Sequence, residues 1–443
     1  MRDYLVVFII AASLPVAFLR PYYGILVYAW ISYMYPHLLA WSFAQQFPGA
    51  KLTAIAVLAG TFFTREGDNR PLFTRESVAM MLVWGTFTIS TIFAFHPVES
   101  WDKWQDVSKV ILMALLTSTL LTSEKRLNYF LLVVALSLGF YGAKGGVFSF
   151  RSGGEHRVWG PPPSIIADNN AIGLALNMSL PILWYLAKAE SGYRKRILQA
   201  TFFLAIPAVM FTYSRASALS LAVVLFVLII KGRNPILPLA AVMLGGILVL
   251  PAVPQRWWDR QQTVLTYEQD TSAMSRVDNW KFCWRIAVDN PLTGVGFEYG
   301  TNEMFAKYAP EFLQTYARGL NTHSIYFAMM ASHGFTGFFV YFGMIGFTYL
   351  SCRRIRRTAR AHPHLDWVVK YCQIVEVSLI AFLVNGAFVN MEYFDLPYHL
   401  VAVAASLRVL SDRKLIQSQE IELAGGAPAL STGFGYIDRS RNS

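Results

Sequence analysis

The chain has 443 residues, 55% of them hydrophobic and only 15% charged, with a formal net charge of +11. Soluble proteins carry about 25% charged residues. Apolar runs of bilayer-spanning length recur along this chain, which excludes a soluble domain and predicts an all-α polytopic membrane protein. The positive charge then reads first as the positive-inside signal of short loops and second as affinity for anionic lipid or phosphate, not as a nucleic-acid footprint. Cys283, Cys352 and Cys372 show no metal or redox spacing and read as buried or incidental thiols.

In chain order, the first apolar run, 4–19, lacks an A-x-A cleavage site and is expected to be a retained anchor. Runs at 22–43 and 52–64 follow, then 77–95, 106–123, 127–147, 170–187, 198–213, 216–231, 235–252, 323–352, 367–390 and 396–410. Basic groups fall at every second loop from Arg65 onward: Arg65/Arg70/Arg75, Lys125/Arg126, Lys188/Arg194/Lys195/Arg196, Lys231/Arg233, Arg353–Arg360 and Arg408/Arg413/Lys414. They mark the cytoplasmic side. The outer side holds a loop at 96–105, a loop at 148–169, the tight turn Tyr213-Ser214-Arg215 and the long polar stretch 254–322. A cytoplasmic N-terminus needs an even number of crossings before Arg65. Part of 22–47, with Pro36 and Trp41, is therefore expected to be interfacial or re-entrant, giving about 12 spans with both termini inside. Residues 1–410 read as one transmembrane domain that includes the 254–322 loop. Residues 411–443, polar and containing Gly425-Gly426-Ala427-Pro428, read as a disordered cytoplasmic tail.

The outer side concentrates the residues able to do chemistry. His323 follows Asn321 and Thr322, both good N-cap residues, and opens an apolar helix. At that position the helix dipole keeps an imidazole neutral and fit to act as a general base; the same residue also reads as a helix-start histidine that hydrogen-bonds a neighbouring loop. Arg215 sits in Thr212-Tyr213-Ser214-Arg215-Ala216-Ser217, between two apolar runs and on the side where basic residues are scarce. It either snorkels to the interface or binds an anion at the membrane surface. The segment 275–285 reads as an amphipathic helix with Arg276, Trp280 and Trp284 on one face and Lys281 and Arg285 at i, i+4 on another. Such a helix suits the headgroup layer, and Arg276 can chelate a phosphate. The loop 148–169 adds Arg151, His156 and Arg157, and its Asp168 and Asn169 are expected to cap the next helix. It has no GK[ST] and is not a P-loop.

No HExxH, DxD or carboxylate cluster is present, so a metal-dependent transferase is not expected. A base beside several arginines at a bilayer surface suits group transfer from a lipid-linked phosphate. A transporter of an anionic lipid or solute stays equally open at this level. Transporters generally show paired repeats and intramembrane charges, and Glu376 is the main midspan charge here.

The motifs Tyr213-Ser214-Arg215-Ala216-Ser217, Ser275-Arg276…Trp280…Asn290-Pro291-Leu292-Thr293-Gly294-Val295-Gly296 and Thr322-His323-Ser324-Ile325-Tyr326-Phe327, with Gly334 and Gly337 after them, resemble the O-antigen ligase family in order and spacing. The Asp168-Asn169-Asn170 helix entry and Tyr393…Leu396-Pro397-Tyr398 agree, so the resemblance covers the chain from about residue 125. The N-terminal part resembles a subgroup known as O-glycosylation ligases. The resemblance implies a GT-C-type fold of about 12 transmembrane helices with a large periplasmic loop. It also implies a metal-independent, inverting glycosyltransferase without cofactor, in the bacterial inner membrane and acting at its periplasmic face. The donor would be a glycan on undecaprenyl pyrophosphate, and the acceptor a sugar hydroxyl of the lipid A core in lipopolysaccharide biosynthesis. His323 would be the catalytic base, and Arg215 and Arg276 would hold the pyrophosphate. Arg151, Arg157, Lys281, Arg285 and Tyr326 are further candidates for substrate contact. The chain departs from the family pattern at Ser324, where Asn is usual, and at Ser332, where an acidic residue often stands. A protein O-oligosaccharyltransferase and an O-antigen polymerase remain the competing enzyme readings.

Overall fold

Short polar caps start many of the helices. Thr74, Ser123, Asp168 and Ser214 each stand immediately before an apolar run, and each side chain accepts a backbone N–H of the first turn. The computed structural model describes residues 1–232, 234–237, 254, 255, 257, 258, 271–316 and 321–423. The predicted run at 235–252 lies largely outside them. The described elements are helical, with no strand among the described residues. They are α1 (Arg2–Leu19), α2 (Pro21–Met34), α3 (Gly49–Thr64), α4 (Arg75–Ile92), α5 (Pro97–Leu120), α6 (Glu124–Arg151), α7 (Asn169–Ala189), α8 (Gly192–Met210) and α9 (Arg215–Ile230). After these come α10 (Thr271–Asp289), two short helices α11 (Asn302–Tyr308) and α12 (Pro310–Tyr316), then α13 (Ile325–Ala359), α14 (Asp366–Gly386) and α15 (Asp395–Leu423). Among the described residues, five helical segments are long and apolar enough to cross a bilayer, namely α1, α6, α7, α13 and 363–386. The chain is a multi-pass all-α membrane protein. Leu5, Phe8, Leu58, Phe62, Phe203, Phe226 and Leu350 point outward from its helices, as a lipid-facing surface requires.

Ion pairs identify the basic end. Arg126 meets Glu66 at 2.5 Å, Arg413 meets Asp68, and Arg408 grips the fully buried Glu76 at 2.7 Å. Glu376, the midspan charge of the sequence, is held by Lys231 and by Arg356 at 2.8 Å. It is neutralised within the bundle.

Three expectations are corrected. The segment 22–43 contains a continuous helix, α2, that starts at the basic end, where the Tyr22 hydroxyl donates to Arg126 O, and finishes at the other, where Tyr141 donates to Met34 O. Only the two short 3-10 turns at Pro36–Leu39 and Phe43–Gln46 form the interfacial piece. The Asp3 carboxylate accepts from the backbone N–H groups of Ser42 and Ala44, whereas Phe18 packs on Gly60. Successive helices thus run antiparallel, α2 against both α1 and α3, and the N-terminus lies at the end opposite the basic loops rather than beside them. The predicted outer loop 96–105 is instead the first turns of α5, begun by Pro97. Finally, α15 continues to Leu423, past the predicted tail boundary at 411.

Candidate active site

The end opposite the basic loops gathers the polar outer segments. The turn between α8 and α9 is built on Tyr213, which takes a left-handed φ of 56°. Its hydroxyl donates to Gly154 O at 2.6 Å, Val158 N donates to Phe211 O, and Asn169 Nδ2 donates to Thr212 O at 2.8 Å. The loop 148–169 and the 211–215 turn are thereby one sewn unit. Ser214 caps α9 and makes Arg215 its first residue. Behind it Asn177 donates to Ser217 O at 2.9 Å, and Asn385 to the Ser217 hydroxyl at 3.3 Å. A cation at a helix N-terminus opposes the helix dipole, so Arg215 is placed against local electrostatic preference, and α9 is anchored too firmly to turn it away.

The second unit is the joint between α10 and α13. Gly334 interrupts α13 with φ 66° and ψ −173°. Into that break fits the turn Asn290-Pro291-Leu292-Thr293-Gly294-Val295-Gly296: Phe335 N donates to Pro291 O at 2.7 Å, Val295 N to Ala331 O, and Gly296 N to Ser332 O. A Cβ on Gly294 would come within 2.5 Å of Ser332 O and His333 N. The motif therefore locks α10, which carries Arg276, onto α13, which His323 precedes. The buried His333 secures the same joint from behind, with Nδ1 on the Ser90 hydroxyl at 2.9 Å and Nε2 on Tyr393 at 2.8 Å.

His323 lies between two fixed neighbours. Thr322 is fully buried: its hydroxyl donates to Asn279 Oδ1 at 2.8 Å and accepts from Tyr299 at 2.9 Å, and its carbonyl accepts from Trp280 Nε1 at 2.9 Å. On the other side Ser324 N donates to Asn390 Oδ1 at 2.9 Å. Between them His323 takes a left-handed φ of 49°. Such a conformation costs roughly 1–3 kcal/mol for a side chain of this size. The flanking bonds, at about 1 kcal/mol each, hold it there.

The imidazole is half-buried. Burial, and after it the guanidinium of Arg276, lower its pKa from the usual histidine value, while Asp168 acts weakly in the other direction. The direction matches the sequence expectation but the cause differs. Ser324, not Thr322, is the N-cap of α13, so His323 stands one residue outside the helix, and desolvation rather than the dipole keeps it neutral. Since Asp168 caps α7 beside Asn169, the Arg215 turn, Arg276 and His323 all converge on one region.

The other sequence candidates divide. Arg157 stands over the Tyr213 ring at 6.0 Å and lines an open cavity of about 370 Å³ with Glu155, His156, Trp159 and Tyr213, next to the Arg215 turn. Arg151 is exposed at the last turn of α6. Lys281 is paired with Asp278 at 3.1 Å and Arg285 with Glu311 at 2.6 Å. Tyr326 donates to Leu383 O at 2.9 Å and stacks on Phe342. Trp280 is not a headgroup anchor: it stacks on Phe327 at 5.2 Å and faces the His323 segment. The three cysteines are buried and free.

Sequence reasoning missed Asn390, which holds Ser324, and Glu392, buried in the loop between α14 and α15. Burial pushes the Glu392 carboxyl up to about 7. No local pattern around residue 390 signals either role, because both depend on contacts with segments far away in the chain.

No curated protein is detectably similar to the chain. Residues 1–191 match a family model described as a family of unknown function. Residues 200–342, which include Arg215, Arg276 and His323, match the family model described as O-Antigen ligase. That match supports a ligase- or polymerase-like enzyme of the O-antigen pathway, with a lipid-linked glycan and an acceptor as its general partners. Over residues 200–342, about a third of its length, the chain is thus similar to the O-antigen ligase family.

Proposed function

We propose that the protein is an O-antigen ligase of the bacterial inner membrane, a multi-span GT-C-type transferase acting at the periplasmic face. It moves a glycan from undecaprenyl pyrophosphate to a sugar hydroxyl of lipid A-core. The neutral imidazole of His323, in electrostatic reach of Arg276, carries this reading. A half-buried base in electrostatic reach of a guanidinium fits a reaction that removes a proton at one point and develops phosphate charge at another.

In this reading His323 takes the proton of the acceptor hydroxyl as its oxygen attacks the anomeric carbon. The anomeric C–O bond to phosphate breaks, and undecaprenyl pyrophosphate leaves with the bond's electron pair. Arg276 and Arg215 neutralise the developing charge, with no metal required. Attack from the face opposite the leaving group inverts the anomeric centre, and no glycosyl-enzyme forms. Arg157 and Arg151 extend the cationic surface on the Arg215 side. The membrane bundle with its 254–322 loop forms the working unit.

The test is transfer by the purified full chain from lipid-linked glycan to lipid A-core, with EDTA and without ATP. The expected result is a shift of the core to a larger product that His323→Ala abolishes. Undiminished product from His323→Ala removes the base. No product on the core, but product on a pilin-like protein, replaces the ligase with an oligosaccharyltransferase.

A further inference from the structure

A second cavity of about 310 Å³ opens at the same end of the bundle, at the small end of the range for ligand sites. Apart from Tyr393 and Asp395, all of its lining belongs to residues 1–191, the region whose family has no described function. The polar lining includes Ser32, His37, Lys103, Asp106 and Asp395, and Tyr28, Tyr35 and Tyr393 supply ring surface.

The lining chemistry separates ligand classes. Asp106 is neutralised by Lys109 at 3.1 Å, and Asp395 accepts from the Tyr28 hydroxyl at 3.3 Å. Lys103 and Lys109 also line the wall and balance the two carboxylates, so the cavity holds no excess of cations for a phosphate group, whereas its carboxylates accept readily from hydroxyls. His37 Nδ1 is buried with no protein hydrogen-bond partner among the described residues, and burial lowers the pKa of this ring. A neutral imidazole offers a polyol one donor and one acceptor. Tyrosine rings offer flat apolar surface to sugar C–H faces. The combination fits a sugar unit.

The location joins this cavity to the transfer site. Ile165, on its rim, is three residues from Asp168, the carboxylate in reach of His323, a span of at most about 10 Å along the chain. Tyr393 follows Glu392 in the loop whose Asn390 holds Ser324. Ile165 and Tyr393 thus tie two sides of the cavity to segments that reach the His323 region. We propose that this cavity is a saccharide subsite, built by the N-terminal region, that holds a sugar unit next to the one reacting at His323. The proposal rests on the transfer reaction above. Both the donor glycan and the acceptor core could supply the sugar.

Two variants at exposed positions test it without disturbing the core, Ile165→Trp at the rim and Lys103→Ala in the wall. The delipidated glycan and the free core oligosaccharide are each offered to the full chain in nanodiscs, with binding read by saturation-transfer NMR. The expected result is a signal from one of them that both variants lose. No signal from wild type, or a signal that survives both variants, overturns the subsite whether or not transfer occurs. Binding that is lost in both variants, without transfer by wild type, overturns the reaction and leaves the subsite standing. Where transfer occurs, Ile165→Trp should raise KM for the bound substrate about tenfold at unchanged kcat, and the substrate so affected identifies the source. KM values within twofold of wild type for both substrates overturn the subsite.

Discussion

His323 gathers three separate constraints: a left-handed backbone, partial burial and a neighbouring guanidinium. If it is the base, His323→Ala lowers the transfer rate by about 10²–10⁴-fold, the usual worth of general base catalysis. The pH profile follows from the sign of the shift. A base works when unprotonated, and burial and Arg276 lower its pKa below the ordinary histidine value. The profile of kcat/KM should therefore stay flat as pH falls to about 6.5 and decline only below that. Arg276→Gln withdraws the cation, so the imidazole pKa rises and the acid limb moves to higher pH. A limb that stays in place in Arg276→Gln would dissociate the two residues. His323, Arg215 and Arg276 could be singled out as candidates in the sequence because each sits in a short motif with a visible chemical anomaly, an isolated cation or a histidine at a helix start. Their supports were not. Asn279, Tyr299 and Asn390 reach Thr322 and Ser324 through side chains remote in sequence, and no periodicity encodes such meetings. Asn390→Ala gives the corresponding expectation. With Ser324 N released, His323 loses one of the bonds that hold its backbone, and kcat should fall while the donor KM changes little. A change confined to KM would assign Asn390 to substrate binding instead.

Among the elements, the joint between α10 and α13 decides whether Arg276 faces His323. The block 290–296 was recognisable as a Pro/Gly turn, but its purpose was hidden, because the break in α13 that receives it lies some 40 residues later at Gly334. Period-3.6 patterning runs straight through that break. Gly294→Ala would add a Cβ at 2.5 Å from Ser332 O at a φ of 63°, and Ser332 O is backbone that cannot rotate aside. The expected loss is about 3 kcal/mol, combining a strained conformation with overpacking. Gly343→Ala provides the control. It lies in the same helix with nothing within 4 Å of the added Cβ, and should be neutral or slightly stabilising. Thermal unfolding of both variants in detergent measures the difference. Equal melting temperatures would mean that the turn is not seated in the α13 break.

At the scale of the whole molecule, charge is sorted by end. The buried carboxylates Glu76 and Glu376 are closed off by Arg408, Lys231 and Arg356 at the basic end, while the candidate site lies at the other. A solute pathway would call for accessible charges at mid-depth. Glu76 and Glu376 are consumed in ion pairs whose disruption typically costs several kcal/mol, and the buried Glu392 and Asp395 stand at the candidate-site end, which favours chemistry at one surface over passage through the bundle. Basic groups from alternate loops gather at one end of the bundle, but the N-terminal parity misled. Arg20 and Arg65 mark the basic end, and nothing in 22–47 tells a full pass from a re-entrant one. It is the bonding of Asp3 to Ser42 and Ala44 that decides it. The orientation can be read by thiol labelling of single cysteines, because Cys283, Cys352 and Cys372 are buried and give little background. Cysteines at Asp3, Gln46 and Glu99 should react with a membrane-impermeant reagent added outside intact cells, and a cysteine at Lys125 only after permeabilisation. Protection of Asp3 together with labelling of Gln46 would return α1 to the opposite direction. It would also remove the packing of Phe18 on Gly60, which now sets α1 parallel to α3 with α2 running against both.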